Sequence, residues 1–541
     1  MPDHMWRIGR FWLVVVMAGT LVFGAVGSRP AQPAPAPQPT PGGTLSIAFV
    51  ALATHIDTNS ANISTVNELG HYFYETLYDR DGAGRVKGLL VKEDQVSADG
   101  MTWTWKLQPN VKFHDGSPFN AAAVKWNFDR KIQKRQPLFD LVPLRSMDVV
   151  DDLTVRVTLT RPAPNLRSIL VTKTFSMYSP TFSQRVGDDA LKLQASGTGP
   201  FTVTEFRPNE IVRLKKNPNY WQRGLPYLDE VIFRVVPDIN TRATMLEAGD
   251  IDMSLSLSIP DLDRLKRRRG LKVVGALGSQ QYYITINNRK PPLNDVRVRW
   301  ALNYAVDKEG IIKTALLGTA KMATAVYINT TVDGYVHAGT YPYDPERAKK
   351  LLEEAGFTVG AGGIRQRGGQ PLSLELITRK GGSPGDFEVA ELVQGMLKAV
   401  GIDVRLTVLE SATFIPRVTL PPERATYDLV NLAVGTFTGD AEYTMLTFYH
   451  STSAAPRYFN RAYYANPVVD ELIDQSLKAT TNPGRNKIYY SQIIKQVFRD
   501  APIIMLFDVT QQVAMKDTVY GVYLESASNN WPAKYAWKER R

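Results

Sequence analysis

In the first half of the chain, hydrophobic and polar residues alternate over short segments, the pattern of half-buried strands. Residues 43–50 form one such segment, and residues 147–159 contain two that are predicted to pair as a hairpin. Between them, residues 101–128 combine an alternating run with six Trp and Phe side chains and end in a helix that Asn120 is expected to cap. A further helix is predicted over residues 66–78. This half is therefore expected to be rich in hairpins.

From about residue 280 the spacing changes, and short strands alternate with amphipathic helices. One helix is predicted to begin at Pro345, with Asp344 as its cap and Gly356 just past its end. Residues 386–400 have the spacing of a second amphipathic helix. Strands that alternate with helices predict an α/β region with a largely parallel sheet. The apolar run at residues 501–509 is predicted to be a late strand that returns to the first region.

The N-terminus has the pattern of an export signal. Arg7 and Arg10 precede an apolar run at residues 11–26, which is followed by small residues. The run is shorter than the roughly 20 residues that a membrane-spanning helix needs, so we predict a cleaved signal peptide over residues 1–27. An uncleaved anchor is the alternative. Residues 28–42, rich in Ala and Pro, are predicted to be an extended linker that leads to an extracytoplasmic protein.

Composition narrows the function classes. The chain has 541 residues, 44% of them hydrophobic and 22% charged, enough for two or more packed lobes. It contains no Cys, which excludes disulfides, thiolate metal sites and the acylated Cys of a lipoprotein. The net charge of +11 is dispersed except for one run at residues 266–269. A nucleic-acid-binding protein would carry a stripe of such runs, so we expect no nucleic-acid partner.

Ten collinear blocks resemble a known family over about residues 43–523. They include YETLYDRDG, DGMTWTWKLQPNVKFHDGSPFNAAAVKWNFDR, LDEVIFRVVPDINTRATMLEAGDID, NDVRVRWALNYAVDKEGI and YDPERAKKLLEEAGF. In content and order these blocks resemble the extracytoplasmic solute-binding proteins of peptide, dipeptide and nickel ABC importers, called solute-binding family 5. One block would be weak evidence, whereas ten in the same order are specific.

The resemblance implies an α/β fold with two lobes, the type II periplasmic-binding-protein or Venus-flytrap fold, with an extra subdomain in the first lobe. It places the first lobe at residues 43–282 and 504–541, the extra subdomain at about 78–195 and the second lobe at 283–503. Ligand would bind between the lobes, and the closed monomer would dock on an ABC permease that works with ATPase subunits. No cofactor is implied.

The resemblance also suggests ligand contacts. In the dipeptide-binding branch, an Asp in a Gly-Trp-Thr-Gly-Asp context holds the α-ammonium group of the ligand. Residues 435–440 of this chain read GTFTGD, a partial match with a shift of one residue. The match makes Asp440 the candidate ammonium partner, with Gly439, Thr438 and the ring of Phe437 beside it. The alternative is a solvated loop carboxylate.

For the ligand carboxylate, the same branch uses an Arg that follows a second-lobe strand. Here Arg379 and Lys380 follow a predicted strand, and because the alignment slips by a residue, either is a candidate. The planar fork of an Arg would suit a carboxylate better than a Lys ammonium. The alternative for both residues is a surface cation.

Two sequence patterns resemble motifs of enzymes, but each lacks an element that the motif requires. Residues 381–385 match the G-x-S-x-G elbow of serine hydrolases, but the residue after the Ser is Pro384, which has no N–H for an oxyanion hole. Residues 197–203 (GTGPFTV) resemble a phosphate loop, yet the Lys and the following helix are missing, so a turn before a strand is predicted. We therefore expect a binding protein, not an enzyme.

The histidines do not form a metal motif. None of the six lies three or four residues from another, which excludes an HExxH type of zinc site. His114 is predicted to make turn hydrogen bonds, while His55, His71 and His450 stay open as ligands of a nickel chelate. The predicted function is capture of a di- or oligopeptide, or a similar zwitterion, for an ABC importer. Alternatives are nickel chelates, opines or sugar-derived ligands, a sensor receptor, and a secreted hydrolase.

Overall fold

The structure, a computed structural model, describes residues 38–50, 54–59, 64–81, 84–134, 139–379, 385–526 and 531–539, without the side chains of residues 411 and 412. The predicted signal peptide and most of the predicted linker lie outside these residues. Residues 39–541 form one compact unit. No helix in the described part of the chain combines the length and the apolar character that crossing a membrane requires.

An eleven-stranded sheet organises this unit. Ten of its strands follow one another across the sheet, and the eleventh, Lys321–Met322, pairs beside Ile503–Lys516. The ten strands, in their order across the sheet, are Asp403–Leu409, Ser373–Arg379, Leu429–Val434, Leu271–Ile286, Ile503–Lys516, Met253–Ser254, Thr44–Phe49, Glu230–Val235, Ile211–Lys216 and Phe201–Arg207.

Two long antiparallel strands, Leu271–Ile286 and Ile503–Lys516, lie next to each other in the middle of this sheet and connect its two halves. Their ladder is interrupted in the middle, because Leu277 pairs with Thr510 while the next pair is Gln281 with Asp508. We call the strands beside the N-terminal part of Leu271–Ile286 the first section. The strands beside residues 281–286 and 503–508 form the second section. The strand predicted at residues 501–509 appears as the longer Ile503–Lys516: its residues 503–508 lie in the second section, and its continuation from Thr510 lies in the first section.

The second section is parallel only in part. Ser373–Arg379 pairs in parallel with both of its neighbours, whereas Leu429–Val434 is antiparallel to Leu271–Ile286. The chain enters this section along Leu271–Ile286 and leaves it along Ile503–Lys516, so these two long strands run antiparallel to each other. Helices cover both faces of the section: Val296–Tyr304, Lys308–Thr314, Pro345–Glu354, Asp386–Ala399, Ser411–Val418, Ala441–Thr444, Pro467–Ser476, Asn482–Arg485 and Ser491–Asp500, with π-helical turns at Met445–Tyr449 and Asn486–Tyr490.

The aromatic stretch of residues 101–128 contributes to a separate antiparallel sheet. The strand order is Val91–Val96, Thr102–Leu107, Thr154–Leu159 and Leu144–Asp151, so the predicted hairpin is confirmed. Helix Ala121–Gln133 packs on this sheet, and the Asn120 side chain caps it by accepting from the N–H of Ala123 at 3.0 Å. Five of the six rings are buried: Trp103, Trp105, Phe113, Phe119 and Phe128. The stretch is therefore core, consistent with its alternating pattern.

One helix prediction was too long. The helix expected over residues 66–78 spans Ser64–Phe73, and Tyr74 closes its last turn through an N–H bond to Gly70. The Glu75 carboxylate then accepts from the hydroxyl of Tyr220 at 2.6 Å, a contact that local spacing could not reveal. The remaining helices in the first half are Leu166–Ile169, Pro180–Val186, Ile239–Ala248 and Ile259–Lys266. Short strand pairs are Tyr78–Arg80 with Val86–Gly88, and Val519–Tyr520 with Trp537–Lys538.

Candidate ligand-binding site

Residues 80–165, which belong to the predicted extra subdomain, meet residues 435–461 of the second section along a contact that we call the seam. The guanidinium of Arg80 donates to the carbonyl of Thr438 at 2.5 Å. The amide of Asn165 donates to the Asp440 carboxylate at 3.2 Å. The predicted GTFTGD segment therefore lies on the seam, among groups from two distant parts of the chain.

The loop that carries Asp440 is tightly held. Gly439 has φ +67°, the left-handed region that favours glycine, and its N–H donates to the Thr436 hydroxyl at 2.7 Å. Asp333 clamps the loop with its backbone, since its N–H donates to the carbonyl of Gly439 at 2.9 Å and its carbonyl accepts from Ala441 at 2.8 Å. These bonds fix the direction of the Asp440 side chain before any ligand binds.

The Asp440 carboxylate is buried, with 2% of the residue exposed. It caps helix Ala441–Thr444 by accepting from the N–H of Glu442 at 2.8 Å. Burial, followed by the negative charges of Glu442 and Asp333, raises the pKa of Asp440 to about 7. Among the described residues, no Lys or Arg forms an ion pair with it. A buried carboxylate without a cation is a suitable partner for an ammonium group.

Two nearby cations form ion pairs with Glu442 and not with Asp440. The fully buried guanidinium of Arg485 forms an ion pair with the Glu442 carboxylate. Arg161, from the other side of the seam, approaches the same carboxylate at 3.2 Å. Because both cations pair with Glu442, Asp440 two residues earlier has no ion-pair partner among the described residues. Local sequence patterns do not reveal which of these two carboxylates is paired with a cation.

Phe437 belongs to the same loop as Asp440. Its ring is partly exposed and meets the ring of Tyr443 edge to face, with 5.8 Å between centroids. The hydroxyl of Thr438 accepts from the N–H of Asp440 at 3.3 Å, which supports the loop from inside. Phe437 is thus placed to pack on a group bound near Asp440, while Thr438 and Gly439 act on the shape of the loop.

Arg379 ends strand Ser373–Arg379 and already has partners. Its guanidinium lies 3.5 Å from the Asp386 carboxylate and 4.9 Å from the centre of the Phe414 ring. Asp386 is buried and also accepts from the hydroxyl of Tyr282 at 2.6 Å. No contact in the described part of the chain joins Arg379 to the Asp440 loop. Lys380 and the loop at residues 381–384 lie outside the described residues.

An open depression of about 540 Å³ lies at the seam next to the Asp440 loop. Arg80 and Arg85 line one wall, and residues 330–335 together with Asn486 line the other. Asp333, which clamps the loop that bears Asp440, is part of the second wall. The depression therefore offers space on the outer side of the loop, with cationic and anionic groups on facing walls.

The histidines do not converge in the structure. The His114 side chain contacts the carbonyl of Gly199, a residue far along the chain and outside its own turn, at 3.0 Å, and burial lowers the pKa of His114 to about 4. His71 is half-buried in the first half of the chain, and His450 lies 3.5 Å from the carboxylate of Asp474. Within the residues that the structure describes, no three His, Cys, Asp or Glu side chains are grouped so as to hold a metal ion.

Comparison with known proteins extends these observations. Residues 85–456 match the sequence profile of the family described as bacterial extracellular solute-binding proteins, family 5 Middle. The glutathione-binding protein GsiB of Pectobacterium atrosepticum is 32% identical over 466 residues, which cover 85% of this chain and 87% of that protein. GsiB of Salmonella typhi is 31% identical over 462 residues, covering 84% and 86% of the two chains.

Solved structures have the same fold. NikA from Brucella suis in complex with Fe(III)-EDTA superposes with a TM-score of 0.82 at 27% identity, covering 92% of this chain and 100% of that one. The periplasmic binding protein DppA from Helicobacter pylori in complex with the peptide STSA superposes with a TM-score of 0.78 at 22% identity, covering 93% and 99%. These relatives are two-lobed α/β binding proteins, in agreement with the predicted fold class.

Proposed function

The chain belongs to the bacterial extracellular solute-binding proteins of family 5, and we propose that it captures a small peptide, or a ligand with similar charged ends, for an ABC importer. The observation that carries the ligand class is the buried carboxylate of Asp440 on the seam, whose pKa is raised to about 7 and which forms no ion pair with any described Lys or Arg. A ligand ammonium group would supply the missing positive charge.

The relatives bind ligands that fit this site. Glutathione, named for GsiB, is a peptide with one ammonium and two carboxylate groups, and DppA is described with the peptide STSA. NikA is described with a metal chelate, which keeps chelates as the second candidate. The grouping of charged residues favours the peptide class, because the described part of the chain holds no cluster of metal-ligating side chains.

We assign four neighbouring residues to the ammonium end of the site. Asp440 binds the charge, Phe437 packs beside it, and Thr438 and Gly439 hold the loop in its conformation. Arg379 and Lys380 remain the cations that the sequence predicts for the carboxylate end. For Arg379, this role requires that the ligand share the guanidinium with Asp386.

The domain organisation belongs to the same proposal. A first lobe of residues 43–282 and 504–541 and a second lobe of residues 283–503 would close on the ligand. The interrupted ladder between Leu277 and Gln281 supports a boundary close to residue 282, since a broken ladder bends more easily than a regular one. Export by residues 1–27, action as a monomer, and docking on a permease with its ATPase subunits complete the proposal.

Titration calorimetry of the purified protein with glutathione, trialanine and N-acetyl-trialanine tests the function. Binding of a free peptide is expected, whereas the N-acetylated peptide, which lacks the ammonium group, should bind at least about 30-fold more weakly. Asp440→Asn should abolish this difference, because it removes the charge but keeps a side chain that caps helices well. Asp238→Asn, at the exposed cap of helix Ile239–Ala248, is the matched control.

Two results would reject the proposal. Failure of the wild-type protein to bind any peptide, with binding of a nickel–histidine complex instead, would favour the chelate class. Equal affinity of the Asp440→Asn protein and the wild type for free trialanine would remove Asp440 from the site. Turnover of the peptides, checked by mass spectrometry of the same samples, would indicate an enzyme.

A further inference from the structure

Arg461 is a buried cation without a partner. Only 6% of the residue is exposed, and its Nε has no hydrogen-bond partner. No carboxylate in the described part of the chain lies within ion-pair distance of its guanidinium. Its one ring contact is with Phe459, whose centroid lies 5.4 Å from the guanidinium carbon. Burial of an unpaired charge costs several kcal/mol, so such a group needs an explanation.

Arg461 differs in this respect from the other buried arginines. Each of those donates to backbone carbonyls or to a carboxylate, which compensates for the water that the guanidinium lost. The other six are Arg80, Arg130, Arg242, Arg299, Arg365 and Arg485. The missing partner of Arg461 is therefore not a general property of this core, and it points to a group that the chain itself does not supply.

Several tyrosines lie within electrostatic range of the guanidinium. Its positive charge acts on the hydroxyl groups of Tyr283, Tyr427 and Tyr443. The Tyr443 hydroxyl, on a residue that is 1% exposed, lacks a hydrogen-bond partner of good geometry. A guanidinium and a phenol hydroxyl are both donors, and both can bind the oxygens of one anion. The two residues that carry these unsatisfied donors both contact the ring of Phe459.

A row of rings connects the surroundings of Arg461 with Asp440. Phe437 contacts Tyr443 at 5.8 Å between centroids, Tyr443 contacts Phe459 at 6.3 Å, and Phe459 lies against Arg461. Next to Phe459, the hydroxyl of Tyr458 approaches the Asp140 carboxylate across the seam at 3.4 Å. The row therefore follows the seam and carries an unpaired anion at one end and an unpaired cation at the other.

We propose that Arg461 recognises the carboxylate of a ligand whose ammonium group binds Asp440. This inference rests on the proposed function and names the residue for the anionic end of the same ligand. The planar guanidinium suits a carboxylate because it can donate two parallel N–H bonds. The free protein bears the cost of burying each charge alone, and the zwitterionic ligand neutralises both. Arg379, whose guanidinium lies beside Asp386, is the competing candidate.

The test uses titration calorimetry with trialanine and trialanine amide, which differ only in the C-terminal carboxylate. Wild-type protein should prefer the free acid by at least about 30-fold. Arg461→Met should lose this preference, and Arg461→Lys, which keeps the charge without the fork, should retain part of it. Arg457→Met is the matched control, because Arg457 is an exposed arginine on the same loop with a ring contact of its own.

Thermal unfolding without ligand supplies a second readout. Because the guanidinium of Arg461 is unpaired in the free protein, Arg461→Met should fold and melt at the same temperature as wild type or higher. A structural arginine would give the opposite result, a lower melting temperature with an unchanged preference for the acid, and this would overturn the inference. So would loss of the preference in Arg379→Met with its retention in Arg461→Met. If the wild type binds neither trialanine nor its amide, both this inference and the proposed function are rejected.

Discussion

Two aromatic stretches of this chain look alike in sequence and differ in structure. Residues 101–128 and residues 435–461 each bring several rings together, and each contains an Asp. In the first stretch Asp115 accepts from the hydroxyls of Ser117 and Ser179, which hold its pKa below the usual range although burial opposes them. In the second, Asp440 accepts from the amide of Asn165 and the N–H of Glu442, but burial and the negative charges of Glu442 and Asp333 still raise its pKa.

The unsatisfied groups of the two stretches also differ in kind. In the first they are neutral, such as the indole N–H groups of Trp103 and Trp105. In the second they include the charged guanidinium of Arg461. A neutral donor without a partner costs about 1–3 kcal/mol, and an unpaired buried charge costs more. A cluster of rings therefore does not by itself indicate a binding site, whereas rings combined with unpaired buried charges do.

Removing the largest fully buried ring of the first stretch should have the largest effect on stability. Trp105 is fully buried and contacts the rings of Tyr78 and Phe128. We expect Trp105→Ala to lower the free energy of unfolding by about 3–5 kcal/mol, seen as a lower midpoint in urea, with peptide affinity of the folded protein unchanged. Trp105→Phe should lose less. A specific loss of affinity in Trp105→Phe without loss of stability would make the first stretch part of the site.

Local patterns predicted the first stretch better than the second, for a physical reason. Alternation, the cap at Asn120 and the hairpin before Leu159 involve neighbours in the chain, and all three appear in the structure. The surroundings of Asp440 come from Asn165, 275 residues away, and Arg461 belongs to no motif. Whether a charge is paired depends on tertiary contacts, which the spacing of residues does not encode.

The pH dependence of stability should distinguish the two aspartates. The folded pKa of Asp440, about 7, lies above its value of 3.8 in the unfolded chain, so the folded state binds the extra proton between these pH values. Stability from this group is therefore present below pH 4 and is lost as the pH rises to 7. Relative to Asp440→Asn, the wild type should lose on the order of 4 kcal/mol over this interval.

Urea unfolding of both proteins at pH 4.5, 6 and 8 measures the difference. Asp508 and Glu68, whose pKa values are also raised to about 7, are present in both proteins, so their contributions cancel. For Asp115 the sign is reversed, because its folded pKa is lowered: its contribution is present at neutral pH and is lost in acid. If the difference between wild type and Asp440→Asn did not change with pH, Asp440 would have a compensating partner and the comparison between the stretches would fail.

The smallest expected effect concerns one ring in each stretch. Phe437 meets Tyr443 at 5.8 Å and an interplanar angle of 89°, and Phe119 meets Phe113 at 5.9 Å and 72°, so the two pairs are nearly matched in geometry. Phe437→Leu should weaken binding of free trialanine by about 3–10-fold, because a ring beside a bound ammonium contributes about 1 kcal/mol. Phe119→Leu should reduce stability by about 1 kcal/mol and leave affinity unchanged.

Calorimetry and thermal unfolding of both variants give the two readouts side by side. The substitution is the same and the ring contacts are similar, but the surroundings differ: Phe437 is partly exposed within the loop of Asp440, whereas Phe119 is buried in the core of the four-stranded sheet. An equal loss of stability with no loss of affinity in both variants would mean that the ring of Phe437 is also core. The ammonium end of the site would then consist of the Asp440 carboxylate alone, held by Thr438 and Gly439.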